Sequence, residues 1–277
     1  MGRVILCETE TATTSYIFPN TRVEVFSYEE LCFYIYNNAA LIAEEHIGVT
    51  MFNWIEEGLH LPELSKQLRV VKEKSSTDLT DLLTTILTYK EFYTMPEIKE
   101  FIFQLERMKG LTQPHFRKLQ GDGFLRYHKY LKAAAIYDEI LEQYPDLQND
   151  KLLGAIYHNR GIAMAHNFEL EEAMRSYLKA YELTKDNKSI YQYLLLMATV
   201  KERKEIEVLA KFHGVEEMVE IIYDALEDTE QDVMGSPIYH RMEKAIYHYE
   251  KNNLTDFNKR MDTVIEHLKS EFREQTV

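Results

Sequence analysis

Two stretches of this chain read as one pattern written twice: FRKLQGDGFLRYHKYLKAAAIYDEILEQYP over 116–145 and IYHNRGIAMAHNFELEEAMRSYLKAYELTK over 156–185. A single shift of 40 residues lays Gly121 on Gly161, Ala133 on Ala173 and Tyr137 on Tyr177. In each copy the Gly and the Ala stand 12 apart and the Tyr follows four later. Two antiparallel helices cross closely only where side chains are small, so the Gly of a first helix is set to face the Ala of a second. One turn on, where the pair diverges, the Tyr fills the opening. Each copy therefore reads as a helix pair.

The rest of the sequence agrees with that class. The 277 residues are 45% apolar, enough for a sizeable core, yet include only 10 Gly and 6 Pro. Sheet-rich and Gly-loop folds need more turn residues than this. Helices are expected over about 50–58, 61–73, 78–92, 95–109 and 112–128, with Pro62 and Pro96 near helix starts and Gly110 ending one. Ser27 and Glu30 have capping-box spacing, opening a helix through Leu31–Tyr36 that is apolar nearly all round and so buried. Before it, Val4–Cys7, Ser15–Phe18 and Val23–Phe26 are β-prone, with Pro19-Asn20 as a turn, and read as a small hairpin or a three-stranded scrap. Towards the C-terminus, Val215, Met218, Ile222 and Leu226 form one stripe and Ser236-Pro237 opens a further helix. Phe257, Met261, Ile265, Leu268 and Phe272 form the last stripe; no helix is expected to exceed about 20 residues.

The two copies resemble the tetratricopeptide repeat (TPR). That family has a period of 34 residues and places a small residue in its first helix, Ala and an aromatic in its second, and Pro at its close. Gly121, Ala133, Tyr137, Ile140 and Pro145 answer to this pattern, as do Tyr157, Gly161, Ala173, Tyr177 and Ala180, with Lys185 where Pro is usual. The extra six residues per unit fall around Tyr144 to Asp150, between units. A third unit near Ser189 keeps the helix lengths but has Leu195 and Glu207 at the small positions. The implied fold is mostly α, a TPR-like α-α superhelix of antiparallel helix pairs with a small N-terminal β-hairpin. Its regions are an N-terminal helical region with the hairpin over 1–110, repeats over 111–200, and helical pairs continuing the stack over 201–277.

The family binds extended peptides in the groove lined by first helices. The resemblance places there Lys118, Asp122 and Arg126, then His158, Asn159, Ile162 and His166, then Gln192 and Tyr193. Lys118 and Asn159 match the carboxylate clamp of the chaperone-binding members. Asp122, Ser189 and Tyr193 stand where that clamp needs Asn and two cations, so a chaperone clamp is not expected. The bland reading of each residue is a solvated position on a helix face.

No catalytic role is assigned to any residue, and no cofactor is called for. Glu44-Glu45-His46 lacks the two-His helical zinc spacing, no CxxC pair occurs, and no metal site is expected. Cys7 and Cys32 are expected to be buried, inert thiols of a reducing compartment. Gly-rich phosphate loops, GxSxG elbows and kinase motifs do not occur. A net charge of −14 speaks against nucleic acid, no apolar run approaches a membrane span, and nothing at the start reads as a secretory signal; a cytoplasmic protein is expected. The acidic run Asp224, Glu227, Asp228, Glu230 and Asp232 reads as a solvated face, with a docking surface the lesser reading. The favoured function is a non-enzymatic scaffold or adaptor holding a protein or peptide segment, with a homodimer if the last stripe is exposed. The alternatives are a peptide-sensing regulator and an enzyme whose site follows no motif.

Overall fold

Residues 7–74 and 78–276 are described by a computed structural model. β1 (Tyr16–Ile17) and β2 (Glu24–Val25) pair antiparallel, with Tyr16 opposite Val25 and Ile17 opposite Glu24. The turn closes through the Phe18 amide on the Val23 carbonyl at 2.9 Å, with Arg22 left-handed at φ 62. So small a hairpin needs helices to pack on. Trp54 pins it by donating from Nε1 to the Thr14 carbonyl at 2.8 Å. The β-prone run at Val4–Leu6 lies outside the described residues.

α1 (Tyr28–Asn38) starts as its capping box demands: the Glu30 amide donates to Ser27 Oγ at 3.1 Å, and Glu30 Oε2 accepts from the Ser27 amide at 3.2 Å. Tyr28, Leu31, Cys32 and Ile35 are fully buried. Around them run α2 (Val49–Asn53), which continues as a π turn through Gly58, α3 (Pro62–Glu73), α4 (Leu79–Thr88), α5 (Met95–Lys109) and α6 (Gln113–Arg126). The Tyr28 hydroxyl ties α1 to the end of α4, donating to the Ile86 carbonyl at 2.7 Å and accepting from the Lys90 amide at 3.0 Å. Burial pushes the Cys32 thiol up to about 12, consistent with an inert core group. Cys7 departs from expectation: it is exposed, with Sγ donating to Ser27 Oγ at 3.2 Å.

The chain divides into two compact units, the first reaching Tyr127 and the second running from His128. This differs from the sequence boundaries at 110/111 and 200/201. α6 belongs with the N-terminal region because it packs on the 3₁₀ turn Ala39–Leu41: Gln120 Nε2 donates to the Ala40 carbonyl at 3.1 Å, and a Cβ on Gly123 would stand 2.9 Å from the Leu41 side chain.

The second unit holds α7 (Tyr130–Gln143), α8 (Asp150–His166), α9 (Leu170–Thr184), α10 (Asn187–Ala198), α11 (Arg203–His213), α12 (Met218–Gly235), α13 (Pro237–Glu250) and α14 (Leu254–Thr276). The forty-residue shift reappears in the backbone. α6 ends at Arg126 and α8 at His166; α7 begins at Tyr130 and α9 at Leu170. The loops between carry left-handed residues at the same place, His128 at φ 57 and Phe168 at φ 62, although neither is glycine.

The chain is mostly α, 75% helical, with fourteen helices and the hairpin among the described residues. α14 runs 23 residues, past the expected limit, because nothing after Asn253 breaks its stripe. In α13 and α14 only Ala245 and Val264 are buried among the described side chains, while Ile246, Leu254, Ile265 and Leu268 are exposed. The acidic run of α12 is solvent-exposed throughout. Among the described residues no helix is long and apolar enough to cross a membrane.

Candidate functional site

The α8/α9 pair is built as the small-residue spacing requires, with one difference of detail. A Cβ on Gly161 would stand 2.7 Å from the Tyr177 ring, so the glycine admits the tyrosine itself rather than only facing Ala173. Tyr177 and Ala173 are both buried. Two turns earlier on α8, Gly154 leaves room for Thr184, whose methyl a Cβ would overlap. Burial pushes the Tyr177 phenol well above its ordinary range, so it is neutral at any physiological pH.

This packing fixes what α8 presents. The His158 ring meets Tyr177 edge-on at 5.5 Å, and its Nδ1 lies 2.9 Å from Ser189 Oγ on α10. α8 and α10, the first helices of successive pairs, are thereby joined side by side. Ser189 is buried and serves as this joint instead of facing a ligand. Asn159, Ile162 and His166 follow at helical spacing on α8, with Asn159 and Ile162 half-buried and His166 exposed. On α10, Gln192 and Tyr193 are half-buried, and burial raises the Tyr193 phenol.

His166 stacks on the buried ring of Tyr130 with centroids 4.1 Å apart and planes 2° apart, and the Tyr130 hydroxyl lies 2.6 Å from His128 Nδ1. Its partial burial and the neighbouring His128 hold His166 below the ordinary histidine pKa. It therefore offers a neutral, flat, hydrogen-bonding surface near pH 7. Further along, His213 closes edge-on against Tyr181 at 5.4 Å, and its pKa too is lowered, first by burial and then by Lys185.

Lys118, Asp122 and Arg126 belong to the first unit. Lys118 Nζ donates to Asp122 Oδ2 at 2.6 Å, one helical turn away, so its charge is answered within α6. Arg126 lines a cleft of the first unit. Among the described residues no group of His, Cys, Asp and Glu side chains is gathered as metal ligands would be.

No family model, curated protein or solved structure matches this chain. The site is thus read from its own geometry.

One structural cluster had no signal in the repeat. Arg160 of α8 donates from Nε to Asp138 Oδ1 of α7 at 2.5 Å and from Nη1 to Ser176 Oγ of α9 at 2.6 Å, with Glu172 Oε2 at 3.4 Å. Its side chain is only 15% exposed. It staples three helices, and the forty-residue shift hides it because Gln120 stands at the matching position. Asp138 and Glu172 are consumed by this staple and are not a free carboxylate pair for acid–base work.

Proposed function

We propose that the chain is a TPR-like, cytoplasmic and non-enzymatic scaffold that holds an extended protein or peptide segment on the face made by α8 and α10. The observation that carries this reading is the His158–Ser189 joint. It sets two first helices side by side and leaves Asn159, Ile162, His166, Gln192 and Tyr193 as a mixed row beside it. Carboxamides can pair with the backbone of an extended segment, while Ile162 and the aromatic rings take its apolar side chains. The row carries no fixed charge, which suits a segment recognised by backbone and shape. The exposed apolar residues of α14 support a homodimer as a secondary property of the same scaffold.

The reading is tested by selecting peptides on the wild-type chain from a random display library and measuring their binding by fluorescence anisotropy. The Asn159→Ala, Gln192→Ala, Tyr193→Ala variant is expected to bind the selected peptides at least tenfold more weakly at unchanged helicity, since each lost contact is worth about 1 kcal/mol. Equal binding by the variant, or no peptide selected at all, overturns the reading.

A further inference from the structure

The first unit contains a cleft of about 390 Å³ that the repeat reading does not use. Its walls are the end of α1 with the 3₁₀ turn after it, the last turns of α5 with Leu111, and α6. That volume suits a metabolite-sized ligand and is too small for a folded partner.

The chemistry of its lining is unlike the rest of the molecule. The chain carries 46 acidic and 32 basic residues, yet the cleft is lined by Arg107 and Arg126 and by no carboxylate. Elsewhere in this unit the cations near carboxylates are paired: Lys109 lies 2.7 Å from Asp78, Lys118 is held by Asp122, Lys72 lies 3.0 Å from Glu44 and Arg69 lies 3.6 Å from Glu56. Among the described residues neither Arg107 nor Arg126 has an ion-pair partner; the Arg107 guanidinium only rests 5.9 Å over the Phe103 ring. The acids of α5 are already engaged: Glu97 in capping Thr94, Glu100 in accepting from Gln104 Nε2 at 3.1 Å, and Glu106 with Lys109 at 2.8 Å.

The remaining lining is uncharged. Phe101, Met108 and Leu119 offer a hydrophobic wall, and Tyr36 is fixed by stacking on Phe101 at 5.4 Å and on Tyr93 at 4.3 Å. Asn37 and Asn38 each donate one side-chain amide bond back along α1, to the Phe33 and Tyr34 carbonyls at 2.8 and 2.9 Å. The charged donors of the cleft are the two guanidiniums, whose planar forks fit carboxylate and phosphate oxygens.

We propose that this cleft binds a small organic anion, its carboxylate or phosphate held by Arg107 and Arg126 and its apolar body laid against Phe101, Met108 and Leu119. The two anionic groups share one recognition chemistry, and the test separates them. Titration calorimetry of the full chain at low salt uses three probes of similar size: 3-phenylpropionate, phenyl phosphate and the neutral 3-phenylpropan-1-ol.

At least one anion is expected to bind at a single site, tenfold or more tighter than the alcohol, and to weaken as salt rises. Whichever anion binds identifies the group that is recognised. The Arg107→Gln, Arg126→Gln variant is expected to lose that tenfold preference, and the Arg107→Lys, Arg126→Lys variant to recover part of it, because charge without the fork is restored. Thermal melting of both variants at the wild-type temperature shows that the fold is kept. Neither anion binding better than the alcohol, or the Gln variant binding as the wild type does, overturns the proposal.

Discussion

The two copies of the forty-residue pattern use one position for two different purposes. In the first, Gln120 reaches the Ala40 carbonyl and Gly123 admits the Leu41 side chain, so α6 is anchored to the N-terminal 3₁₀ turn. In the second, Arg160 stands where Gln120 would be and staples α7, α8 and α9, while Gly161 admits the Tyr177 ring. The end of the first helix, the start of the second and the position of the left-handed loop residue keep the shift in both. A repeat therefore constrains backbone and small-residue positions, and the residues between them decide what each helix is fastened to.

The largest effect expected from breaking this contrast is at the staple. Arg160→Ala removes bonds to two acidic side chains and leaves Asp138 and Glu172 facing each other. A loss of about 2 kcal/mol is expected, near the middle of the range for charge-assisted bonds because both acids are partly exposed. Gln120→Ala removes one neutral hydrogen bond and is expected to cost about 1 kcal/mol or less. Urea unfolding of the two variants measures the difference; equal losses would mean that the two positions do the same thing.

The glycines give a smaller split. Gly161→Ala drives a methyl into a buried aromatic ring with no rotamer to escape to, an overpacking cost of about 2 kcal/mol, offset by about 1 kcal/mol of helix propensity. Gly123→Ala meets Leu41 as far in as Cγ, at 2.9 to 3.0 Å, but this aliphatic side chain has other rotamers where the Tyr177 ring has none, so a smaller cost, roughly matched by the propensity gain, is expected. Thermal melts are expected to show Gly161→Ala destabilised and Gly123→Ala near wild type. Destabilisation of Gly123→Ala to the same degree would show Leu41 to be as rigid as Tyr177.

The smallest effect depends on pH and belongs to the first unit. His46 is buried, and its Nδ1 accepts the Ala43 amide at 3.0 Å, a bond that only the neutral ring can make. Burial lowers its pKa, against a weaker opposing pull from Glu45. The unfolded chain then binds the proton more readily than the folded one. The contribution is fully present above the unfolded value of about 6.5 and is lost as pH falls below it. The His46→Gln variant is expected to show a shallower fall in melting temperature between pH 7.5 and 5.5; an unchanged slope would remove His46 from the account.

Much of the fold was legible because its signals are local. The Ser27/Glu30 box, the Pro19-Asn20 turn, Gly110 and the 40-residue alignment each act through neighbouring backbone, and α1 to α6 fall close to their expected spans. The site was legible in part. Helical spacing places Asn159, Ile162 and His166 on one face, but it could not show that Ser189 is a buried joint or that Lys118 is spent on Asp122. The cleft was illegible for a physical reason: Tyr36 of α1 is far in sequence from Arg107 of α5 and Arg126 of α6, and the three share no motif. Cys7 misled because a short β-prone run reads as core from its sequence, whereas the thiol is exposed.

Amide hydrogen exchange of the full chain, with and without the tightest peptide from the display selection, tests the central claim most directly. Slowed exchange across 155–166 of α8 and 189–197 of α10, with the first unit unchanged, is the result this account predicts. Protection confined to the first unit, or to α13 and α14, while the same peptide is bound would contradict it.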